Sequence, residues 1–219
     1  MFNFLKKIKI FLLSVLFTPS PTVAKIERMS AKEIEAYLPN KPTSSFPFVF
    51  SLFNYKNEEV REIIYHIKYR GDSTLIDLFG EILYKKINED FKKYSDKKIN
   101  IYLIPIPLSK KRYQERKFNQ SELLTESVIR HDKEKVFIHS TDILIRKKDT
   151  QPQTQLNKKD REKNMKDCFS VPFKKRKKVE GEIIILVDDV TTTGSTLKEA
   201  RKVLLESRAK AVYAVTLAH

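Results

Sequence analysis

An α/β fold built on a central, mostly parallel sheet is predicted by three features of the sequence. Short apolar runs alternate with segments of helical periodicity through the second half of the chain, as βαβ units require. One run, residues 183–187, is five consecutive apolar residues bounded by charges, the pattern of a strand covered on both faces. The length of 219 residues suits one well-packed domain with a short appendage and is too small for two independent cores. In such sheets ligands bind beyond the carboxyl ends of the strands.

Composition supports a folded chain, at 41% apolar and 11% aromatic, so the 32% charged fraction describes a surface. A formal charge of +15 draws anions of every kind, from nucleic acid and anionic lipid to phosphorylated small molecules. Cys168 is the sole cysteine, which excludes an internal disulfide and a cysteine-based zinc cluster and fits a reducing compartment. His66, His131, His139 and His219 lack metal-ligand spacing.

At the N-terminus, Lys6, Lys7 and Lys9 precede the apolar run 10–17, and Thr22-Val23-Ala24 resembles a cleavage site. Two readings stand: a signal peptide, or an amphipathic helix packed on the domain or on a membrane surface, since the run is too short to span a bilayer. Pro19, Pro21, Pro39, Pro42 and Pro47 then bracket a helix over 31–37, with Ser30 as N-cap and Glu33 completing a capping box. Residues 1–45 are read as this apolar, proline-rich appendage and 46–219 as the main domain.

Within that domain, residues 46–55 read as an extended aromatic segment. Asn57 caps a helix whose Val60, Ile63, Ile64 and Ile67 follow the i, i+3, i+4, i+7 pattern. Gly71 and Asp72 break it, and a second helix from Ser73 buries Leu75, Leu78, Phe79 and Ile82 before a lysine-rich turn at 95–98. A strand is expected at 101–106, a helix at 119–129, strands at 142–146 and 183–187, a helix at 195–206 and a last strand at 211–217.

The segment 184–196, IILVDDVTTTGST, carries the chemistry. Its strand delivers Asp188 and Asp189 to one end, and Thr191, Thr192, Thr193, Gly194, Ser195 and Thr196 open the next helix. Unpaired N–H groups at a helix start, at the positive end of its dipole, receive a phosphate; glycine allows close backbone approach and the hydroxyls add donors. Adjacent carboxylates suit the two neighbouring hydroxyls of a ribose and can help hold a magnesium-bound pyrophosphate. With only four glycines, the chain has neither the G-x-G-x-x-G of a dinucleotide site nor the G-x-x-x-x-G-K of an ATP-type loop.

This segment resembles the phosphoribosyltransferase signature, and Ile104-Pro105-Ile106-Pro107-Leu108 followed by Arg112, Arg116 and Phe118-Asn119-Gln120 is similar to the ComF/GntX group, which includes bacterial competence proteins. Arg146, Thr150, Gln153, Leu156, Arg161, Asn164 and Phe169 fall in the order of that group's middle segment, so the likeness runs from about residue 46 onward. The resemblance implies the type I phosphoribosyltransferase fold and a site for 5-phosphoribosyl 1-pyrophosphate (PRPP) with Mg2+. The ribose hydroxyls then fall to Asp188 and Asp189, and the 5-phosphate to Thr191, Thr192, Thr193, Gly194, Ser195 and Thr196. Lys110, Lys111 and Arg112, in a strand-end loop over 107–113, would meet the pyrophosphate. Thr150 and Gln153 belong to a mobile loop, 147–157, of the kind that closes over the reacting centre in the resembled enzymes.

Three departures from the group are visible. The usual N-terminal zinc module has no cysteines here, so zinc is not expected. Lys117 stands in place of a glycine before Phe-Asn-Gln, and Ser207-Arg208 replaces a glycine-containing turn. The resemblance implies a transferase of 5-phosphoribosyl groups in the cytoplasm, with membrane association through the N-terminal segment left open and a role in DNA uptake. Two alternatives remain: a non-catalytic adaptor for single-stranded DNA that works with a helicase-like competence ATPase, using the basic run 174–178, and a PRPP-sensing regulator. The acceptor and the oligomeric state are not legible.

Overall fold

A computed structural model of the chain describes residues 20–40, 46–97, 99–148 and 167–219. Two short helices come first, α1 (Pro21–Ile26) and α2 (Ala31–Tyr37). Ser20 caps α1 by accepting from the Val23 N–H, with Pro21 in the first helical position, where no N–H is needed. Ser30 and Glu33 form the expected reciprocal box at the start of α2. Strand β1 (Val49–Phe53) leads into α3 (Glu58–Arg70), capped by Asn57 and ended by Gly71 in the left-handed region. Asp72 then caps α4 (Ser73–Phe91), which runs into a 3-10 turn, Lys92–Lys97.

The second half alternates as the sequence predicts. Strand β2 (Ile101–Pro105) is followed by α5 (Lys110–Arg116), α6 (Gln120–His131) and β3 (Phe137–His139). Two short strands, β4 (Ile145–Arg146) and β5 (Phe169–Ser170), pair antiparallel as a separate ribbon. After a 3-10 turn at Phe173–Lys175 and the single-turn α7 (Arg176–Val179) come β6 (Ile183–Val190), α8 (Ser195–Glu206) and β7 (Ala211–Ala218).

Five strands form one parallel sheet in the order β1-β7-β6-β2-β3. Both faces are buried, and β6 records this residue by residue. Ile183, Ile185 and Val187 enter the core shared with α1 to α4 and α6, while Ile184 and Leu186 enter a second core with α8, β5 and α7. A strand's period of two sends alternate side chains to opposite faces, so a strand covered on both reads as an unbroken apolar run. Helices α1 and α2, with Leu38 just after them, contribute Val23, Ile26, Ala31, Ile34 and Leu38 to the first core, each at most 2% exposed. The segment 20–40 is thus packed into the main hydrophobic body, and Thr22-Val23-Ala24 lies inside a helix.

Several boundaries differ from expectation. Strand β6 extends three residues beyond 187, because β7 continues to pair with it: Asp188 lies opposite Thr216 and Val190 opposite Ala218. The strand expected over 142–146 shrinks to Ile145–Arg146 and leaves the main sheet. The loop expected over 107–113 becomes helical at Lys110, where Ser109 accepts from the Arg112 N–H; the stretch KKRYQER carries no apolar period to announce it. Strand β3, only three residues long, is too short for periodicity to reveal.

Both glycine replacements sit where a glycine backbone is kept. Lys117 has φ 68° at the end of α5, its N–H donating to the Tyr113 carbonyl at 2.7 Å. Arg208 has φ 66° after α8, where the Arg208 N–H bonds the Leu205 carbonyl and the Ala209 N–H the Leu204 carbonyl, a Schellman ending. The left-handed conformation costs a side-chain-bearing residue about 1 to 2 kcal/mol.

Candidate functional site

The chain passes from β2 to β3 on one side and later returns to place β6 against the other edge of β2. The carboxyl ends of β2 and β6 therefore bound the crevice where the winding reverses, the place at which open α/β sheets bind ligands. Asp188 and Asp189 stand there.

Asp188 is half-buried, and its Oδ1 accepts from Ser121 Oγ and from the Asp189 N–H, both at 2.9 Å. Asp189 is 3% exposed; its Oδ1 accepts from the Val190 N–H at 2.8 Å. Its Oδ2 lies 3.3 Å from Lys68 Nζ, at ion-pair distance but without hydrogen-bond alignment. Burial first, then the neighbouring Asp189 charge, pushes the Asp188 carboxyl up to about 7, against the pull of Ser121 and Lys68.

The partners of the acid pair are placed by the segment 116–121. Asn119 donates to the Ile106 carbonyl at 3.1 Å, which ties the start of α6 to the end of β2, and its Oδ1 caps α6 by accepting from the Ser121 N–H. Ser121 is thereby aimed at Asp188. Arg116 reaches Gln120 Oε1 at 2.8 Å and lies 4.7 Å from the Tyr69 ring centre, while the Phe118 ring packs on Gly71. The last turn of α3, which carries Lys68, is held from the same side. The resembled Phe-Asn-Gln motif acts here as a brace between β2, α3 and the acid pair.

Beyond β6 the Thr191 N–H donates to the Ala218 carbonyl at 3.0 Å, anchoring the loop to β7. Gly194, with φ 68°, is the N-cap of α8 and brings no side-chain acceptor to the first-turn N–H groups. Thr193 and Ser195 hydroxyls lie 2.9 Å apart; Thr191 and Ser195 are buried, Thr192 is exposed and Thr196 half-buried. The Phe46 ring closes on Gly194 so tightly that a Cβ there would lie 2.5 Å from Phe46 Cε2. Lys198 Nζ sits 4.5 Å from the same ring. A twelve-residue helix thus opens beside two carboxylates, and one ligand carrying an anion and a diol could meet both.

Lys110, Lys111 and Arg112 occupy the first turn of α5, at the end of the neighbouring strand β2, with Lys110 and Lys111 exposed and Arg112 half-buried. A cavity of about 380 Å³ opens beside them, lined by Pro105, Pro107, Leu108, Lys110, Asn119 and Glu122 among others. Thr150 and Gln153, expected in a mobile loop, lie outside the described residues, as does the apolar run 10–17. The basic run 174–178 lies in the turn before β6, where Phe173 is 84% exposed and Lys175 pairs with Asp142. Among the described residues no helix is long and apolar enough to cross a membrane, and no group of three or more His, Cys, Asp or Glu could hold a metal ion.

Three residues of this site carry no signal in the sequence. Lys68 reads as an ordinary basic residue in a last helical turn, Ser121 as part of a helix start, and Phe46 as one aromatic among several. Each is recruited by tertiary packing across more than 50 residues.

The fold and the site together define a phosphoribosyltransferase-type domain, and residues 135–219 match the phosphoribosyl transferase domain family. The chain is 37% identical over 169 residues to Competence protein ComFC of Bacillus subtilis, covering 76% of this chain and 62% of that protein. To Competence protein F of Haemophilus influenzae it is 32% identical over 147 residues, 67% of this chain and 62% of the relative. DNA utilization protein YhgH of Escherichia coli is 33% identical over 113 residues, half of this chain and 45% of YhgH. The chain belongs to the ComF family. It spans less than two thirds of the length of each of these relatives.

Proposed function

We propose that this protein binds the ribose 5-phosphate part of PRPP and serves the uptake or use of DNA. One observation carries the ligand: the acid pair at the end of β6 is joined by four residues to a glycine-capped helix start, at the crevice where the sheet reverses. Asp188 and Asp189 accept from the ribose 2- and 3-hydroxyls. The N–H groups and hydroxyls of residues 191–196 receive the 5-phosphate. The role in DNA handling rests on the names of the relatives, two competence proteins and a DNA utilization protein.

Lys110, Lys111 and Arg112 stand at the end of β2 to receive the pyrophosphate. A divalent cation fits beside the pair: the buried Asp189 Oδ2 lacks an aligned donor, and carboxylate oxygen suits Mg2+. When bound it would neutralise pyrophosphate charge. If the group is transferred, the ribose C1–O bond to pyrophosphate breaks and an acceptor takes the carbon through an oxocarbenium-like state. Holding both ends of the sugar then supplies most of the rate, and no side chain acts as nucleophile. PRPP is a metabolite of the cytoplasm, and we assign the protein there.

A second reading, an adaptor for single-stranded DNA, is favoured by the charge of +15 and by the exposed Phe173 beside the basic run 174–178. Calorimetry with PRPP and Mg2+ tests the first. Asp188→Ala combined with Asp189→Ala should abolish binding, and an unchanged affinity would refute the assignment. Pyrophosphate release with candidate bases and nucleotides separates transfer from sensing.

A further inference from the structure

We infer that Lys68 is a resident counter-ion that keeps free divalent cations off the acid pair and gives way only to a cation arriving with its anionic ligand. The identity of that ligand rests on the sugar-phosphate reading above; the exclusion of free cations does not.

The geometry is specific. Lys68 Nζ lies 3.3 Å from Asp189 Oδ2, the lysine side chain is 21% exposed and the aspartate 4%. The approach is too poorly aligned for a hydrogen bond, so the oxygen is held by charge alone and remains ready for a better ligand. Two of the other three oxygens already accept hydrogen bonds. Asp189 Oδ1 accepts from the Val190 N–H, and Asp188 Oδ1 accepts twice, from Ser121 and from the Asp189 N–H. The ammonium thus stands at a buried carboxylate oxygen with no hydrogen-bond partner, the kind a cation would seek.

Its position is built. Lys68 lies in the last turn of α3, and that end is pinned by Phe118 against Gly71 and by Arg116 over Tyr69. An ammonium tethered in this way pays no translational entropy to stay, whereas Mg2+ must shed tightly held water. Two carboxylates alone provide little of an octahedral shell, and no third acidic or histidine ligand joins them among the described residues. A free cation would also have to displace Lys68 from its one ion-pair partner among those residues and leave it without another.

A cation bound to a phosphorylated ligand meets none of these obstacles. It brings oxygens that fill its own shell, and its phosphate or pyrophosphate oxygens offer Lys68 a new partner. The exchange trades one ion pair for two, so Lys68 selects the complex over its parts.

Mn2+ binding, followed by electron paramagnetic resonance without PRPP, tests the claim. The wild type and Lys68→Arg should bind Mn2+ weakly or not at all. Lys68→Gln should bind it at least ten-fold more tightly, and adding Asp189→Asn should remove the gain. Equal Mn2+ affinity in wild type and Lys68→Gln, or a gain that survives Asp189→Asn, would overturn the inference. A fold-independent arm uses the wild type with its lysines 13C-dimethylated: Mg2+ alone should leave the Lys68 signal in place, and movement of that signal by Mg2+ alone would equally overturn it. The metal-only arms decide the matter even if PRPP does not bind.

Discussion

Gly194→Ala perturbs the candidate phosphate loop at its tightest point. Two costs add. A side chain at φ 68° is strained by about 1 to 2 kcal/mol. The new Cβ would also lie 2.5 Å from Phe46 Cε2 and 2.9 Å from Cδ2 and Cζ, so the ring must swing away. That movement gives up the Lys198 ammonium over the ring, worth roughly 0.5 to 1 kcal/mol, and loosens the ring stacked on His219. The sum, about 1.5 to 3 kcal/mol, corresponds to a fall in Tm of roughly 3 to 12 °C for a domain of this size. Gly181→Ala supplies the control, because Gly181 also has a positive φ, 80°, yet a Cβ there would meet nothing within 4 Å. It should show the backbone cost alone and leave ligand affinity unchanged. Thermal melts of both variants, with calorimetry for PRPP, read the two effects separately. We expect Gly194→Ala to melt lower than Gly181→Ala and to bind PRPP at least ten-fold more weakly. Equal melting temperatures with equal affinities would refute the role given to Phe46 and to the close approach.

Two further outcomes are expected. Because the folded state holds the Asp188 proton up to about 7 while the unfolded carboxyl releases it near 3.8, the folded state binds more protons between these values. Stability should therefore fall as pH rises from about 4 to about 7, with a ceiling of about 4 kcal/mol at about 1.4 kcal/mol per pH unit. Urea melts across that range should be flatter in Asp188→Asn and steeper in Ser121→Ala, which loses the hydrogen bond favouring the anion; parallel profiles in all three would contradict the assignment. At the left-handed positions, Lys117→Gly should stabilise the fold by about 1 kcal/mol. Arg208→Gly should gain less, since it also gives up an exposed ion pair with Glu180 worth about 0 to 1 kcal/mol. Chemical denaturation checks both, and a loss of stability at Lys117 would show that the side chain makes a contact outweighing the strain.

Much of the fold is legible in the sequence because its strands are buried on both faces. The run 183–187 could hardly be anything but a central strand, Glu58–Arg70 carries a cap and a periodicity that agree with each other, and Ser195–Glu206 carries the periodicity. The acid pair and the threonine loop stand at the strand end and the helix start that their residue types and spacing indicate. What stayed hidden depends on contacts distant in sequence. Asp188 and Asp189 remain in the strand only because β7 pairs alongside, and Lys68 matters only because α3 ends beside β6. Short elements fail for a different reason: β3 and α1 have too few residues to show a period. Lys117 and Arg208 illustrate a third, that a backbone geometry can outlast the residue suited to it.

The order of the sheet bears on how the molecule comes into being. In the five-stranded sheet β1 lies at the edge against β7, and Ser51 and Thr216, whose hydroxyls lie 2.8 Å apart, are 165 residues apart in sequence. During synthesis β1 leaves the ribosome long before β7 exists, so an early-made strand waits with an open edge. Topology this non-local slows folding and gives chaperones time to engage. The Thr191 N–H likewise has no anchor until Ala218 is made. A nascent chain halted before β7 would carry every acidic and threonine residue of the site and still lack the strand that holds them in place.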